Sequence, residues 1–284
     1  MTHALLEQVT IGAERSGPVV MGVVNVTPDS FSDGGRWIET GAAVDHGRQL
    51  VEDGAAIVDV GGESTRPGAE RPSEEEELRR VVPVVSTLAD AGIVVSGDTM
   101  RAEVARAALA VGAAIINDVS GGVADPGMPA LVAESGAPFV VMHWRGHAHD
   151  MQTRAHYADV VAEVCAELTE RVDALLAAGA SRDQLVVDPG IGFAKTAAHN
   201  WELLAGLEQV VDLGHPVLLG TSRKGFLGSV GRREGDERPL DARAVVTAAT
   251  SARAARAGVW CVRVHDVTAT VDALDVAAAL GEIR

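Results

Sequence analysis

Polar and ionisable residues recur at the ends of short apolar runs along this chain, and their types suit a small anion held beside a flat, nitrogen-rich ring. Arg263 and His265 alternate at the end of one β-rich run, so a strand turns both to the same side. Arginine offers a bidentate fork for phosphate oxygens, and histidine adds a donor. Asn25 ends the first run and is a hard oxygen ligand fit for a Mg2+ that bridges phosphates. Asp98, Asn117 and Asp188, with Lys224, suit a heterocycle rich in donors and acceptors, because a carboxylate accepts from an adjacent ring N–H and exocyclic NH2 together. Met142 and Phe193 supply apolar faces. Plainer roles compete with these: Arg263 paired with a buried carboxylate such as Asp59 or Glu63, and each strand-end Asp capping the next helix.

The stretch from Met21 to Gly35 makes the case locally. Its β-branched beginning reads as a buried strand, and Pro28 with Gly34-Gly35 prevents a simple continuation. A capped turn needs one Asp or Ser, whereas Asn25, Thr27, Asp29, Ser30, Ser32 and Asp33 stand here together. A ligand-facing loop accounts for them better.

Those residues need a frame, and the glycines mark it. Gly54, Gly92, Gly112, Gly136, Gly179, Gly214 and Gly258 each close a helix-like segment and precede a β-rich run, as a left-handed residue past a helix end does. The seven junctions separate eight expected strands: 19–25, 56–60, 94–98, 114–118, 138–142, 185–188, 216–220 and 260–264. Between them Val160, Val164, Leu168, Val172 and Leu175 form a helical stripe, with a shorter one at Val104, Ala108 and Val111. Ser73 and Glu76 have capping-box spacing. Eight β-α units with short connections predict an α/β fold, a (β/α)8 TIM barrel, over residues 18–284. Residues 1–17 read as an N-terminal extension, a small hairpin that plugs the bottom. A doubly wound sheet is the competing architecture, but no GxGxxG follows any strand, and Walker A, HExxH and GxSxG motifs are absent from the sequence.

Composition narrows the function. A formal net charge of −16 argues against general binding to nucleic acid or membrane surfaces. Only 3% of residues are aromatic, so aliphatic side chains must fill the core. Cys165 and Cys261 lie far apart, which favours free thiols and a cytoplasmic setting. His143, His147, His149 and His156 match no standard metal spacing and read as part of a solvated loop, with Trp144 and Arg145 expected at the mouth.

At the level of whole motifs the chain resembles the dihydropteroate synthase family. The matching stretches are Gly22–Gly35, Asp59–Gly68, Asn117–Gly122, Asp188–Lys195, Thr221–Lys224 and Arg263–Asp266. The resemblance implies that a dihydropterin-methyl diphosphate condenses with p-aminobenzoate, giving dihydropteroate and pyrophosphate in folate synthesis. It implies a pterin site at Asp98, Asn117, Asp188 and Lys224, and a diphosphate site at Asn25, Arg263 and His265, with Mg2+ on Asn25. Thr65, Arg66, Pro67, Phe193 and Lys224 would form the p-aminobenzoate side, where sulfonamides act as analogues, Phe31 and Asp33 would close over it, and Ser222 would also bind substrate. Asp33, Asp98, Arg66 and Lys224 would act in catalysis, and a homodimer is expected. Two departures stand out: Gly97 replaces a bulkier residue, which could loosen that strand end, and Gly225 replaces a common serine. A pterin-binding paralogue without synthase activity and a methyltetrahydrofolate-binding methyltransferase barrel are the rival readings.

Overall fold

The structure is a computed structural model that describes residues 3–13, 16–27, 36–63, 71–146, 151–232 and 235–283, the side chains of residues 36–39 and 152 excepted. Eight parallel strands form one sheet in the order β6-β5-β4-β3-β2-β1-β8-β7. They are β1 (Val19–Asn25), β2 (Ile57–Gly61), β3 (Val95–Asp98), β4 (Ile115–Asp118), β5 (Phe139–Met142), β6 (Leu185–Asp188), β7 (Leu218–Leu219) and β8 (Cys261–Val264). The ring closes between β6 and β7, where Val187 pairs with Val217 and its N–H donates to the Pro216 carbonyl at 2.9 Å. Helices α2 (Arg36–Glu52), α3 (Glu74–Asp90), α4 (Ala102–Ala110), α5 (Met128–Ser135) and α6 (Val160–Ala177) follow the first five strands in turn. A pair, α7 (Ala197–Ala205) and α8 (Leu207–Val211), follows β6, and α9 (Ala244–Ala257) and α10 (Val267–Ala279) follow β7 and β8. This is the (β/α)8 barrel that the glycine rhythm predicts.

Strand alternation separates two cores. Val20, Val24, Val58, Val60, Val141, Val187 and Val262 lie in the main apolar core, shared with the helices. Met21, Ile57, Ile115, Val140, Val186, Leu218 and Cys261 belong to a second cluster that fills the barrel's lower interior. The seven predicted junction glycines all take positive φ, from 63 to 108°. Every member of the predicted α6 stripe is buried. Ser73 caps α3 by accepting from the Glu76 N–H at 3.2 Å, but the Glu76 carboxylate pairs with Arg79 and Arg80 instead of closing the box.

The N-terminal extension corrects one expectation. It forms a helix, α1 (Ala4–Gly12), and not a hairpin. Leu6 and Val9 share one face at helical spacing and join the lower cluster. A helix satisfies its own backbone, whereas a two-stranded hairpin is marginal without a sheet to join. Trp260 Nε1–H donates to Thr10 Oγ1 at 2.9 Å and fastens the plug to the start of β8. Gly97 does not loosen β3, because a Cβ there would stand 3.3 Å from Ala108 Cβ and 3.5 Å from Ile116 Cδ1. The space is already taken by close helix packing. No helix among the described residues is long and apolar enough to cross a membrane.

Candidate active site

A cavity of about 670 Å³ opens at the C-terminal ends of the strands. Asn25, Asp98, Asn117, Met142, Asp188, Phe193, Ser222, Lys224, Arg263 and His265 all line it. The pterin, diphosphate and p-aminobenzoate residues expected from the sequence and described by the structure therefore meet in one place. Phe31, Asp33, Thr65, Arg66 and Pro67 lie outside the described residues, as do His147 and His149.

On one wall, neighbouring strands bring three charges together. Asp98 ends β3 beside Gly61 of β2, and a Cβ on Gly61 would come within 3.2 Å of the Asp98 carboxylate. The glycine leaves the room that this carboxylate occupies. Arg263 on β8 donates through Nε to Asp59 at 2.6 Å and through a terminal nitrogen to Asp98 at 2.7 Å. The ion pair weighed against a phosphate role for Arg263 is thus present. A guanidinium carries five N–H donors, so two bonds leave most of the fork available. Burial pushes the Asp98 carboxyl up to about 8, against the pull of Arg263 and with Asp59, Glu77 and Glu63 adding to the rise. Burial opposes the charge on Arg263, but Asp59 and Asp98 outweigh it and hold the group more firmly charged than usual. Asn117 donates to Asp59 at 3.1 Å. The other Asp59 oxygen, Oδ1, is buried with no hydrogen-bond partner among the described residues. The sequence offered Asp59 only as a partner for Arg263, and this unmet acceptor was not foreseeable from residue type.

The opposite wall comes from β6 and β7. Asp188 accepts from the Gly190 N–H at 2.7 Å, and burial raises its carboxyl while Lys224 pulls it down. Burial lowers Lys224 to about 8, offset by Asp188. The Lys224 ammonium donates to the Ile191 carbonyl and lies 4.6 Å from the Phe193 ring centroid. The preceding residue, Arg223, takes a left-handed φ of 61°, and its carbonyl accepts from Arg243 at 3.0 Å. Strain of this kind in a cavity-lining turn is held by its surroundings. His265 Nδ1 and Ser222 Oγ are 2.9 Å apart, which joins the ends of β7 and β8.

The loop after β5 differs from expectation. His143 is fully buried, with Glu167 at 3.0 Å from Nε2. Arg145 turns away from the mouth, pairs with Glu163 and Glu167, and stacks 3.9 Å from the Tyr157 ring centroid. Neither Trp144 nor Arg145 lines the cavity. Among the described residues, no group of three or more His, Cys, Asp or Glu is placed to hold a metal ion. Asn25, half-buried at the end of β1, remains a single neutral oxygen donor facing the cavity. The sequence missed Lys195 and Asn200 as lining residues, although Lys195 closes a motif already in view. Nothing in residue type or spacing marked either side chain as turned inward.

The family described as pterin binding enzyme matches residues 21–265. A dihydropteroate synthase of Mycobacterium leprae (strain TN) is 57% identical over 262 residues, covering 92% of each chain. A structure of the Xanthomonas albilineans dihydropteroate synthase with 4-aminobenzoic acid superposes with a TM-score of 0.87 at 47% identity, covering 94% of each chain. The same enzyme in complex with 7,8-dihydropteroate gives a TM-score of 0.83 at 44% identity, covering 94% of this chain and 95% of that one. With a family match over most of the chain, 57% identity to a relative and a superposable barrel, the chain belongs to the pterin-binding enzymes and, among them, to the dihydropteroate synthase family.

Proposed function

We propose that this protein is the transferase that joins 7,8-dihydropterin-6-ylmethyl diphosphate to p-aminobenzoate, giving dihydropteroate and pyrophosphate for folate biosynthesis. One observation carries the reading: a set of groups fit for a flat, donor-rich ring and a set fit for an anion line the same cavity. Asp98, Asn117 and Asp188 with Lys224 hold the pterin ring. Asn25, His265 and the remaining N–H groups of Arg263 hold the diphosphate. Phe193, Ser222 and Lys224, with Thr65, Arg66 and Pro67, form the p-aminobenzoate side, and Phe31 and Asp33 close over it.

The chemistry is an SN1-like displacement. The bond from the methylene carbon to the diphosphate oxygen breaks, and its electron pair leaves on oxygen. Arg263 and His265 meet the charge growing there. The carbon left behind is a cation conjugated with the ring. Asp98 and Asp59 share the single guanidinium of Arg263, so ionisation of Asp98, which burial resists and Arg263 favours, places a negative charge on the wall facing it. A unit charge about 4 Å away contributes roughly 4 kcal/mol at an effective dielectric near 20, about three powers of ten in rate. The amine lone pair of p-aminobenzoate then forms the C–N bond, and its proton is released. Mg2+ fits the donor set, since a lone amide oxygen suits an ion that takes its other ligands from phosphate and water. It would neutralise diphosphate charge at Asn25.

The protein is also proposed to act as a cytoplasmic homodimer, in keeping with the prevalence of twofold assemblies. The deciding experiment measures pyrophosphate release with both substrates and with each alone. Release that requires both is expected; release with the pterin diphosphate alone, or none at all, overturns the reading. Asp33→Ala should lose turnover while keeping pterin affinity, as its proposed role over the reacting carbon requires.

A further inference from the structure

Behind the Phe193 wall stands a buried lysine that the reaction does not use. The segment Gly190–Ala194, between β6 and α7, takes left-handed φ at Gly190 (66°), Gly192 (82°) and even Ala194 (48°). Such a hook has few internal bonds, and side chains from elsewhere satisfy its carbonyls. Lys195, only 3% exposed, donates to the carbonyls of Gly190 at 3.0 Å and Phe193 at 3.1 Å. Tyr157 O–H donates to the Ala194 carbonyl at 3.0 Å. The third Lys195 contact is His143 Nδ1 at 2.9 Å. Glu167, its carboxyl held at about 2, can only accept, so the neutral His143 ring turns its N–H to it and leaves the Nδ1 lone pair for Lys195. The ring proton then sits on Nε2 and donates to Glu167, which Arg145 also grips. Lys195 thus faces three acceptors with no carboxylate in direct contact among the described residues, and burial pulls it well below the ordinary lysine range.

The hook sets the second-substrate wall. A Cβ on Gly192 would stand 2.6 Å from Lys224 Cδ, so any shift of the hook displaces the Phe193 ring and the Lys224 side chain together. On the other side, a Cβ on Gly190 would stand 2.2 Å from the His143 carbonyl oxygen. The hook is therefore wedged between the end of β5 and Lys224, with Lys195 at its centre.

We propose that Lys195 is a positioning residue: held by His143 and Glu167, it fixes the Gly190–Phe193 hook so that Phe193 and Lys224 present the p-aminobenzoate wall. This rests on the transferase reading above, and the test keeps the two apart. Lys195→Met keeps the length of the side chain and removes the donors. It should raise KM for p-aminobenzoate about tenfold or more, and KM for the pterin diphosphate, which Asp98, Asn117 and Asp188 hold besides Lys224, by a clearly smaller factor. His143→Leu, which removes one acceptor and leaves the hook's own residues intact, should shift the same constant in the same direction, and His143→Gln, with an amide oxygen and N–H in place of the ring, should recover most of the loss. If Lys195→Met fails to fold, the His143 pair carries the test. Equal KM changes for both substrates, or an unchanged p-aminobenzoate KM, overturn the inference, as does an NMR assignment of the His143 proton to Nδ1. Absence of two-substrate turnover in the unsubstituted protein would instead sink the transferase reading.

Discussion

Ile57, Ile115, Val140, Val186 and Cys261 pack into the dry lower interior of the barrel, and two residues further along the same strands stand Asp59, Asn117, Met142, Asp188 and Arg263. Two residues is one repeat of the pleat, about 7 Å. The apolar layer thus forms the floor on which most of the charged layer stands. The contrast explains the electrostatics of the site. Burial is the largest influence on Asp98, Asp188 and Lys224, and it works against the charge of each. The lower layer secures the fold and makes the upper layer's charges costly, and a charged or donor-rich ligand relieves that cost.

Substitutions one layer apart should break this division in opposite ways. The largest effect is expected at the top. Asp188→Asn keeps the volume but removes the ionised acceptor, and two charge-assisted hydrogen bonds at roughly 2 kcal/mol each correspond to about a thousandfold in kcat/KM. Thermal stability should change far less than activity, since the relief of one buried charge is offset by the loss of the carboxylate that supports Lys224; steady-state kinetics and a melting curve read both. One layer down, Ile115→Ala should cost about 2–5 kcal/mol of stability through lost burial and a cavity, while kcat per folded molecule changes only a few-fold. Chemical denaturation measures the first and active-site-normalised turnover the second. A thousandfold kinetic loss in Ile115→Ala would erase the distinction between floor and site.

The two layers were not equally legible in the sequence. Barrel topology showed through the junction glycines, because a left-handed φ past each helix is a requirement that few other residues meet. The strand-end residues were legible because polar side chains interrupting β-branched runs stand out in type. What stayed hidden depends on rotamers and on distant partners. Asp59 looks like any strand acid until its Oδ2 is followed to Arg263 and Asn117 on two other strands. His143 read as part of a solvated loop because its neighbours in sequence are polar, yet the fold seals it between Glu167 and Lys195. The hairpin expected before β1 became a helix because the bottom of a closed barrel offers no free strand edge to pair with.

A pH titration tests the boundary at His143, which lies just outside the charged layer. Burial holds its ring at about 4, below the ordinary 6.5; Lys195 and Arg171 act in the same sense, and Glu167 opposes them. Between pH 6.5 and about 4 the unfolded chain binds a proton that the native ring refuses, so stability falls as pH falls. The full loss across that window is on the order of 3 kcal/mol. Glu167, lowered to about 2 against its own burial by hydrogen bonds to His143 and Arg145, adds a loss only below its ordinary 4.5. Asp98 and Asp118, pushed up to about 8 and about 6 by burial, act in the opposite sense in this window, so the test is a difference: the urea midpoint of the unsubstituted protein should fall relative to that of His143→Gln between pH 6.5 and 4.5.

The smallest effects belong to the bottom of the barrel, where two junction glycines separate strain from contact. Gly92, after α3, has φ of 79° and nothing within 4 Å of a Cβ position. Gly92→Ala should therefore cost only the backbone preference, about 1 kcal/mol. Gly112, after α4, has φ of 106°, and its added Cβ would stand 2.7 Å from Ala89 Cβ. Gly112→Ala should cost more, because α3 must move to relieve the clash, and Ala89→Gly in the same chain should recover that excess at the lower helix propensity of glycine, also about 1 kcal/mol. Both sites lie at the starts of strands, a whole strand length from the cavity, so kcat should be untouched in each variant. A Gly92→Ala loss as large as that of Gly112→Ala would mean that strain alone governs these turns and that the α3–α4 contact contributes nothing.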